Sequence, residues 1–286
     1  MANIRGTNVS DILNGTVEND RILGLGGNDT VIASIGDDTL DGGAGLNTAD
    51  YSGLNAVITF ESGQTVRKRG RGTDLVRDID IIIGAEGQDN TISGRSTRDS
   101  DVPSFNNLLS FDIDLSEDRL TVSGVPGEGD VDFIVQNFVN VQGTSRDDSI
   151  VGDENDNRFL GRGGNDLLVG GAGNDTLKGG TGNDTLIGVD LSNPNSGPQI
   201  DTLNGGFGSD VFVLGTADEV FYNDHGREDF AKISRFSTNF DKIQLSGSIG
   251  DYTFSDDGRQ IFERETNDLI AVVKNGLIDS DDLIFV

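Results

Sequence analysis

The sequence predicts an all-β fold, a parallel β-roll in which short strands coil as a solenoid. The main observation is a nine-residue pattern that recurs in twelve units, with Asp or Asn at the sixth position and an apolar residue at the eighth. The 41 Gly and only 4 Pro favour sharp turns over a stiff linker. Outside the repeats, apolar residues alternate with polar ones, which is typical of strands.

The two repeat arrays lie at residues 1–52 and 143–213. The first runs from Gly6 without a gap, and the second starts at Gly143 and is interrupted by eight residues, 188–195, before it resumes at Ser196. The sixth positions of all units are Asp11, Asp20, Asp29, Asp38, Asn47, Asp148, Asn157, Asp166, Asp175, Asp184, Asp201 and Asp210.

The repeat length itself indicates how the chain coils. Six residues make a turn and three make a minimal strand, so nine residues complete half a coil and eighteen return the chain above itself. The eighth positions then stack inward as a thin core, and turns eighteen residues apart lie about 4.8 Å apart, the strand spacing of a sheet.

This spacing favours a cation between stacked turns. Calcium binds oxygen at roughly 2.3–2.6 Å, close to half the strand spacing, whereas magnesium needs shorter bonds. Two stacked carboxylates about 5 Å apart would repel by roughly 3 kcal/mol at an effective dielectric constant of about 20. We therefore predict several calcium sites and a metal-free form that is largely unfolded.

The composition supports ion binding and excludes several functions. The chain has 49 acidic and 21 basic residues, a net charge of −28, and 39 of the acidic residues are Asp. Asp suits turns and ion sites, whereas binding nucleic acid needs a basic face. The absence of Cys and the single His exclude a disulfide scaffold and an ordinary zinc site. No apolar run reaches the length of a signal peptide or a membrane span, so any export signal lies elsewhere than the N-terminus.

Units such as GRGGNDLLV and GGAGNDTLK resemble the GGxGxDxUx nonapeptide of the RTX, or haemolysin-type calcium-binding, family. The segments NTADYSGLNAVITF and NFVNVQGTSRDDSIVG resemble cyanobacterial members. The resemblance implies that each ion takes the second and fourth carbonyls and the sixth carboxylate of one unit. The unit eighteen residues later adds its first and third carbonyls and its own sixth carboxylate.

Carried over to this sequence, the resemblance implies a set of carbonyl ligands. Those at second and fourth positions are Gly27, Thr144, Arg146, Asp153, Asn155, Arg162, Gly164, Gly171, Gly173, Gly180 and Gly182. Those at first and third positions are Gly24, Gly26, Gly42, Ala44, Gly161, Gly163, Gly170, Ala172, Gly179, Thr181, Gly205 and Phe207. The turn that faces Asp175 is expected to be 196–201, and the neutral Asn47 and Asn157 imply weaker or vacant sites.

Residues 53–142 leave the nine-residue register and are predicted to form irregular coils of the same solenoid. Strand patterns lie at 56–60, 78–83, 106–115, 119–125 and 131–141. A separate inserted β domain is the alternative. Arg67, Lys68, Arg69 and Arg71 form a basic run, which we interpret as a solvated loop rather than a contact with an anionic polysaccharide.

Residues 214–286 are predicted to form a β-rich cap. Their last six residues, 281–286, are acidic and then apolar. This pattern resembles the type I secretion signals of RTX proteins, and it also fits a final edge strand.

We expect no catalytic residue. His225 follows Asp224, but no G-x-S-x-G motif precedes it. The sequence thus predicts a secreted, extracellular, non-enzymatic calcium-binding protein with a structural role at a surface or in a matrix, in contact with a surface layer or an extracellular polysaccharide. A calcium-dependent carbohydrate-binding or adhesive module is one alternative, and the non-catalytic part of a polysaccharide-acting enzyme is another.

Overall fold

The computed structural model describes residues 1–61, 64–93, 109–125, 129–195, 197–223 and 225–286. The chain divides into two compact units, Met1–Gln142 and Gly143–Val286. The described residues are almost entirely in short strands and turns, with three 3-10 helices of one turn each at Leu115–Glu117, Ile249–Asp251 and Ser280–Asp282.

The first unit contains two sheets, and the chain alternates between them throughout its repeat array. The strands of its first sheet are β1 (Asn3–Arg5), β3 (Arg21–Leu23), β5 (Thr39–Asp41), β7 (Ile58–Glu61), β8 (Thr65–Lys68), β9 (Gly72–Arg77), β11 (Thr91–Ser93) and β15 (Asn140–Gln142). Those of its second sheet are β2 (Ile12–Asn14), β4 (Thr30–Ile32), β6 (Thr48–Asp50), β10 (Ile81–Ile83), β12 (Ser110–Asp114), β13 (Arg119–Val125) and β14 (Gly129–Gln136).

The second unit has the same alternation. The strands of its first sheet are β17 (Arg158–Gly163), β19 (Thr176–Thr181), β21 (Ile200–Phe207), β23 (Phe230–Ser234), β25 (Tyr252–Phe254), β26 (Gln260–Glu263) and β27 (Leu269–Val273). Those of its second sheet are β16 (Ser149–Val151), β18 (Leu167–Gly171), β20 (Thr185–Val189), β22 (Val211–Val213), β24 (Lys242–Leu245) and β28 (Leu283–Phe285).

The parallel register confirms the predicted β-roll. Strand β3 pairs with β5 so that Ile22 lies opposite Leu40, and β18 pairs with β20 so that Leu168 lies opposite Leu186. Each pair is separated by eighteen residues, as the repeat requires. The eighth-position side chains therefore stack in the interior, and nearly all are fully buried: Ile22, Val31, Leu40, Ala49, Ile150, Phe159, Leu168, Leu177, Leu186, Leu203 and Phe212.

The interruption at 188–195 leaves this register intact in the strands on either side. Thr176 lies opposite Thr202 and Thr185 opposite Val211, a separation of 26 residues in both sheets. Because 26 is eighteen plus eight, the eight extra residues are accommodated between the end of β20 at Val189 and the start of β21 at Ile200, and the solenoid resumes after them.

Residues 53–142 add antiparallel hairpins to the two sheets of the first unit. Strands β7, β8 and β9 pair antiparallel, as do β12, β13 and β14. Parallel pairs continue around them, with β5 next to β9, β6 next to β10, and β11 between β7 and β15. The second unit ends similarly, with β27 parallel to β23, the β25–β26–β27 meander antiparallel, and β28 parallel to β24. No described helix is long and apolar enough to span a membrane.

Candidate calcium-binding turns

The sixth-position side chains connect successive coils by hydrogen bonds that the sequence did not reveal. The Asp166 backbone N–H donates to Asp184 Oδ1 at 2.9 Å, and the Asp184 N–H donates to Asp210 Oδ1 at 3.0 Å. In the first unit the Asp11 N–H donates to Asp29 Oδ1 at 2.8 Å. One carboxylate oxygen of each such residue thus holds the backbone of the preceding coil, which leaves the other oxygen, Oδ2, for a different partner.

In one group of turns, Oδ2 of the sixth-position aspartate has no hydrogen-bond partner in the described part of the chain. These oxygen atoms are fully buried and belong to Asp29, Asp166, Asp175, Asp184 and Asp210. An unsatisfied buried polar atom costs about 1–3 kcal/mol, and more when the group is charged. A cation at Oδ2 removes this cost, as does a proton.

Burial raises the pKa of the aspartates in the glycine-rich turns of the second unit. Burial raises the pKa of Asp166 and of Asp175 to about 8, and that of Asp210 to about 6. Burial also raises the pKa of Asp184. Neighbouring carboxylates add to the effect, such as Asp184 for Asp166. Ionised carboxylates are therefore unfavourable in these turns unless a cation accompanies them.

The first glycine of these turns leaves a space that oxygen atoms line. A Cβ placed on Gly161 would lie 2.1 Å from Asp166 Oδ2 and 2.7 Å from the carbonyl oxygen of Gly179. A Cβ on Gly179 would likewise lie 2.1 Å from Asp184 Oδ2 and 2.6 Å from the Gly205 oxygen. The space combines the sixth carboxylate of one turn with the first carbonyl of the next coil, two of the ligand types that the resemblance implies.

The second and fourth residues of these turns have left-handed backbone conformations. In the turn that ends at Asp184, Gly180 and Gly182 have φ values of 126° and 124°. Arg162 adopts φ 83° at a second position, which is uncommon for a residue with a side chain. This backbone explains the glycine-rich pattern, because only glycine adopts such φ values without a steric cost.

The turn above Asp175 differs from the sequence expectation. Asp201 lies above Asp175, whose N–H donates to Asp201 Oδ1 at 2.8 Å. The first-position residue is Gly188, however, because Gly171 pairs with Val189 and a Cβ on Gly170 would lie 2.5 Å from the Gly188 oxygen. The insertion therefore falls between the first and sixth positions of one turn. Ser196, the expected first residue, lies outside the described residues.

A second group of turns satisfies Oδ2 with a threonine. In the turn that ends at Asp20, the Thr16 N–H and hydroxyl donate to Asp20 Oδ2 at 2.7 and 2.6 Å, and these bonds lower the Asp20 pKa. Thr7 bonds to Asp11 in the same manner, and Thr144 to Asp148. The threonine in each GT-x-x-x-D turn thus occupies the oxygen that remains unpaired in the glycine-rich turns.

In further turns, the sixth-position side chain forms hydrogen bonds with other groups of the chain. The Asn47 Nδ2 donates to the carbonyls of Gly43 and Gly45 at 3.2 Å each, and these are the second and fourth carbonyls of its own turn. Asn157 Oδ1 accepts the N–H of Asp153 at 3.0 Å. Tyr222 donates its hydroxyl to Asp201 Oδ2 at 2.6 Å. Weaker or vacant sites at Asn47 and Asn157 stay a prediction.

The structure also contains a repeat unit that the sequence reasoning missed. Residues 69–77, RGRGTDLVR, carry Gly70 and Gly72 with left-handed φ values of 72° and 116°, Asp74 at the sixth position and the buried Val76 at the eighth. The unit is in phase with the first array, seven periods after Gly6. The run of basic residues concealed it.

The basic run is a solvated turn only in its second half, at Arg69 and Arg71, and the expectation is wrong for Arg67 and Lys68. Arg67 and Lys68 lie in β8, where the Arg67 Nε donates to Glu61 Oε2 at 2.8 Å and Lys68 is only 1 % exposed. Strand alternation places Lys68 on the same buried face as Val66. Arg69 is exposed at the turn after the strand. Elsewhere, His225 Nδ1 lies 3.7 Å from Asp229 Oδ2, and Asp224 lies outside the described residues.

The described residues contain no cluster of three or more His, Cys, Asp or Glu side chains suited to a metal. A calcium site in the described turns would therefore use backbone carbonyls together with one or two carboxylates, as the resemblance implies. The sequence matches the RTX calcium-binding nonapeptide repeat family over residues 5–40, 14–49, 140–168, 160–189 and 196–224. The chain carries RTX calcium-binding repeats. Comparison with curated proteins gives no match.

Two solved structures resemble this chain. The extracellular lipase LipA of Serratia marcescens is 18 % identical, with a TM-score of 0.31, and the alignment covers 100 % of this chain and 40 % of the lipase. The AlgE6R3 subunit of the Azotobacter vinelandii mannuronan C5-epimerase is 25 % identical, with a TM-score of 0.22, over 49 % of this chain and 79 % of that one. This chain thus spans less than half the length of the lipase. The resemblance to cyanobacterial members stays a prediction.

Proposed function

We propose that this protein is a secreted, non-catalytic β-roll that completes its folding when it binds extracellular calcium. The observation that carries the proposal is the set of buried, unpaired Oδ2 atoms of Asp29, Asp166, Asp175, Asp184 and Asp210. Each lies in a turn whose first residue is glycine and whose second and fourth residues are left-handed. The RTX repeats supply the reason to assign calcium to this arrangement.

The glycine-rich turns are the proposed ligand sets. For the ion between the coils of Asp166 and Asp184, the carbonyls are those of Arg162 and Gly164 in one turn and Gly179 and Thr181 in the next. Calcium bound there supplies positive charge to buried carboxylates and connects the oxygen atoms of two coils. Hard oxygen ligands of this kind suit calcium.

Calcium dependence is concentrated in the second unit. Four of these five unpaired oxygens, those of Asp166, Asp175, Asp184 and Asp210, lie there, whereas among the described residues of the first unit only Asp29 carries one. One ion at 100 times its dissociation constant adds about 2.7 kcal/mol, so four add about 11 kcal/mol. That sum is comparable to the whole stability of a typical domain, about 5–15 kcal/mol.

This dependence fits an extracellular location. Where calcium is scarce, the second unit would remain incompletely folded and suitable for export, and extracellular calcium would then complete the roll. The pairing of residues 283–285 with β24 is compatible with a role of the last residues in either the fold or type I secretion. We propose a structural role at a cell surface or in a matrix, because the RTX repeats, at 143–213, form about half of the second unit.

A second candidate function is calcium-dependent carbohydrate binding. A surface groove in the first unit is lined by Val17, Asn19, Ile35, Arg69 and Arg71, among others. It joins two guanidinium groups to apolar surface, a combination that suits an acidic polysaccharide. A glycan array would test this candidate. Binding lost in the Arg69→Ala/Arg71→Ala variant would support it, and no bound glycan would rule it out.

Circular dichroism and calorimetry test the main proposal. We expect β-structure to increase when chelator is replaced by millimolar calcium, and calorimetry to show several bound ions. Magnesium at equal concentration is the control and should produce little change, because it prefers shorter bonds and retains its waters. A fully folded spectrum in chelator would overturn the folding switch, and the absence of calcium binding would overturn the function.

A further inference from the structure

Lys68 is a buried cation inside the first unit. It ends strand β8, and its side chain is 0 % exposed. Its Nζ donates to the Ser34 carbonyl at 2.6 Å and to Asp38 Oδ2 at 3.1 Å. It also donates to Asp74 Oδ1, and both carboxylates are buried.

The three acceptors are equivalent to the proposed calcium ligands of the second unit. Ser34 and Asp38 are the second and sixth residues of the repeat unit at 33–41, so they correspond to Arg162 and Asp166. Asp74 is the sixth residue of the missed unit at 69–77, on the coil that pairs with this one. Thr39 lies opposite Leu75, and the Asp38 N–H donates to Asp74 Oδ1 at 3.1 Å, as Asp166 does to Asp184.

The Lys68 ammonium group neutralises the carboxylates of this turn. Asp38 Oδ1 accepts the Asp20 N–H at 2.8 Å, and Asp74 Oδ2 accepts the Tyr51 hydroxyl at 2.9 Å. The Ser34 hydroxyl also donates to Asp38 Oδ2 at 3.4 Å, so all four oxygens of the two carboxylates have donors, unlike Oδ2 in the glycine-rich turns. What Lys68 adds is a buried positive charge in contact with both carboxylates. The first residue of the turn is also Ala33 instead of glycine, so a methyl group lies where the other turns leave space.

We infer that Lys68 is a resident cation that takes the place of calcium between the coils of Asp38 and Asp74. The antiparallel strands β7, β8 and β9 place the ammonium group in a turn of the calcium-binding type. The ammonium group then neutralises the carboxylates of that turn without a metal ion. The inference rests on the proposed function of the other turns, since it treats the ammonium as the equivalent of their ion. It adds that one site of the roll is occupied permanently by the chain itself.

The test is the creation of a metal site by removing the lysine. In the full-length Lys68→Ala variant, we expect calorimetry to show one more bound calcium than in the wild type. We also expect a lower melting temperature in chelator and recovery in millimolar calcium. Arg5→Ala is the control, because Arg5 is an exposed basic residue of the same unit, and it should leave the number of ions and the melting temperature unchanged.

A second variant covers the case in which the Ala33 methyl group keeps the ion out. Ala33→Gly/Lys68→Ala restores the glycine of the other turns and should gain the ion if the single variant does not. No added ion in either folded variant overturns the inference. So does a failure of both to fold in millimolar calcium, since calcium would then be unable to replace the ammonium.

Amine acylation followed by mass spectrometry examines the wild type directly. Lys68 should resist acylation in both chelator and calcium, whereas the exposed Lys274 should react in both. If calcium makes Lys68 reactive, the ion displaces it and the inference fails. Calcium binding by the wild type without a gain in the variants would refute this inference alone, whereas no binding by any form would refute the proposed function.

Discussion

At the scale of single residues, the sixth-position aspartate uses its two oxygens for different purposes. Oδ1 accepts a backbone N–H from the preceding coil, as Asp184 does from Asp166 at 2.9 Å. Oδ2 faces its own turn, where it meets a threonine, a lysine, a tyrosine or no donor. Asp has the reach for both because its carboxylate lies close to its own backbone. This double use accounts for the preference for Asp over Glu in the repeats.

The difference between the two groups of turns predicts which aspartates bind calcium. Asp166→Asn keeps the Oδ1 acceptor but removes the charge at the unpaired oxygen, so calorimetry should show one ion fewer. At 100 times the dissociation constant of that ion, the loss corresponds to about 2.7 kcal/mol of calcium-dependent stability.

Asp20→Asn is the matched control. Thr16 already donates to Asp20 Oδ2 at 2.7 and 2.6 Å, so the same substitution should leave the number of bound ions unchanged. Equal losses in the two variants would show that threonine does not replace the ion.

At the scale of elements, the residue after the first glycine separates turns with an internal donor from turns with an unpaired carboxylate oxygen. The strands themselves are predictable, since three residues with a buried eighth position recur throughout both units. The turn chemistry varies while the strands remain alike. A GT pair closes the turn with a hydroxyl, whereas a glycine with left-handed residues after it leaves the carboxylate oxygen unpaired.

Gly179→Ala should therefore block one calcium site without removing a ligand side chain. The new Cβ would lie 2.1 Å from Asp184 Oδ2 and 2.6 Å from the Gly205 oxygen, where an ion must fit. We expect one ion fewer by calorimetry and a smaller increase of melting temperature on addition of calcium.

Gly197→Ala is the control for this substitution, because a methyl group added there would have no described atom within 4 Å and the residue is in the same unit. It should bind as many ions as the wild type. An unchanged number of ions in Gly179→Ala would contradict the proposed ligand geometry.

At the scale of the whole molecule, the two units differ in how their turns are satisfied. In the first unit, threonines, Asn47 and Lys68 supply donors, and among its described residues only Asp29 has an unpaired Oδ2. In the second, Thr144 and Tyr222 supply donors, but four described turns have unpaired carboxylate oxygens. Both repeat arrays have parallel strands and buried eighth-position residues. We therefore expect the turns to make the stability of the two arrays without metal different.

Hydrogen exchange measured by mass spectrometry tests this difference. In chelator, the amides of β18, β19 and β20 should exchange much faster than those of β3, β4 and β5, and calcium should restore their protection. Magnesium serves as the ionic control. Equal protection of both sets of strands in chelator would contradict the assignment of the calcium dependence to the second unit.

The sequence by itself determined the roll. The nine-residue period fixed the eighteen-residue coil, the stacked core and the aspartates at the turns, because these follow from local spacing. Most strands between and after the arrays were also predictable from apolar alternation. The unit at 69–77 was missed because its arginines obscured the pattern, although its glycines and Asp74 stand in phase.

Only the tertiary structure decided which turns lack an internal donor. Tyr222 meets Asp201 across 21 residues, and Lys68 meets Asp38 across 30. The structure also showed that the insertion after Gly188 lies within a single turn. The physical reason is that the local sequence fixes the position of each carboxylate in its own turn. The donor that neutralises this carboxylate can come from any strand that packs against the turn.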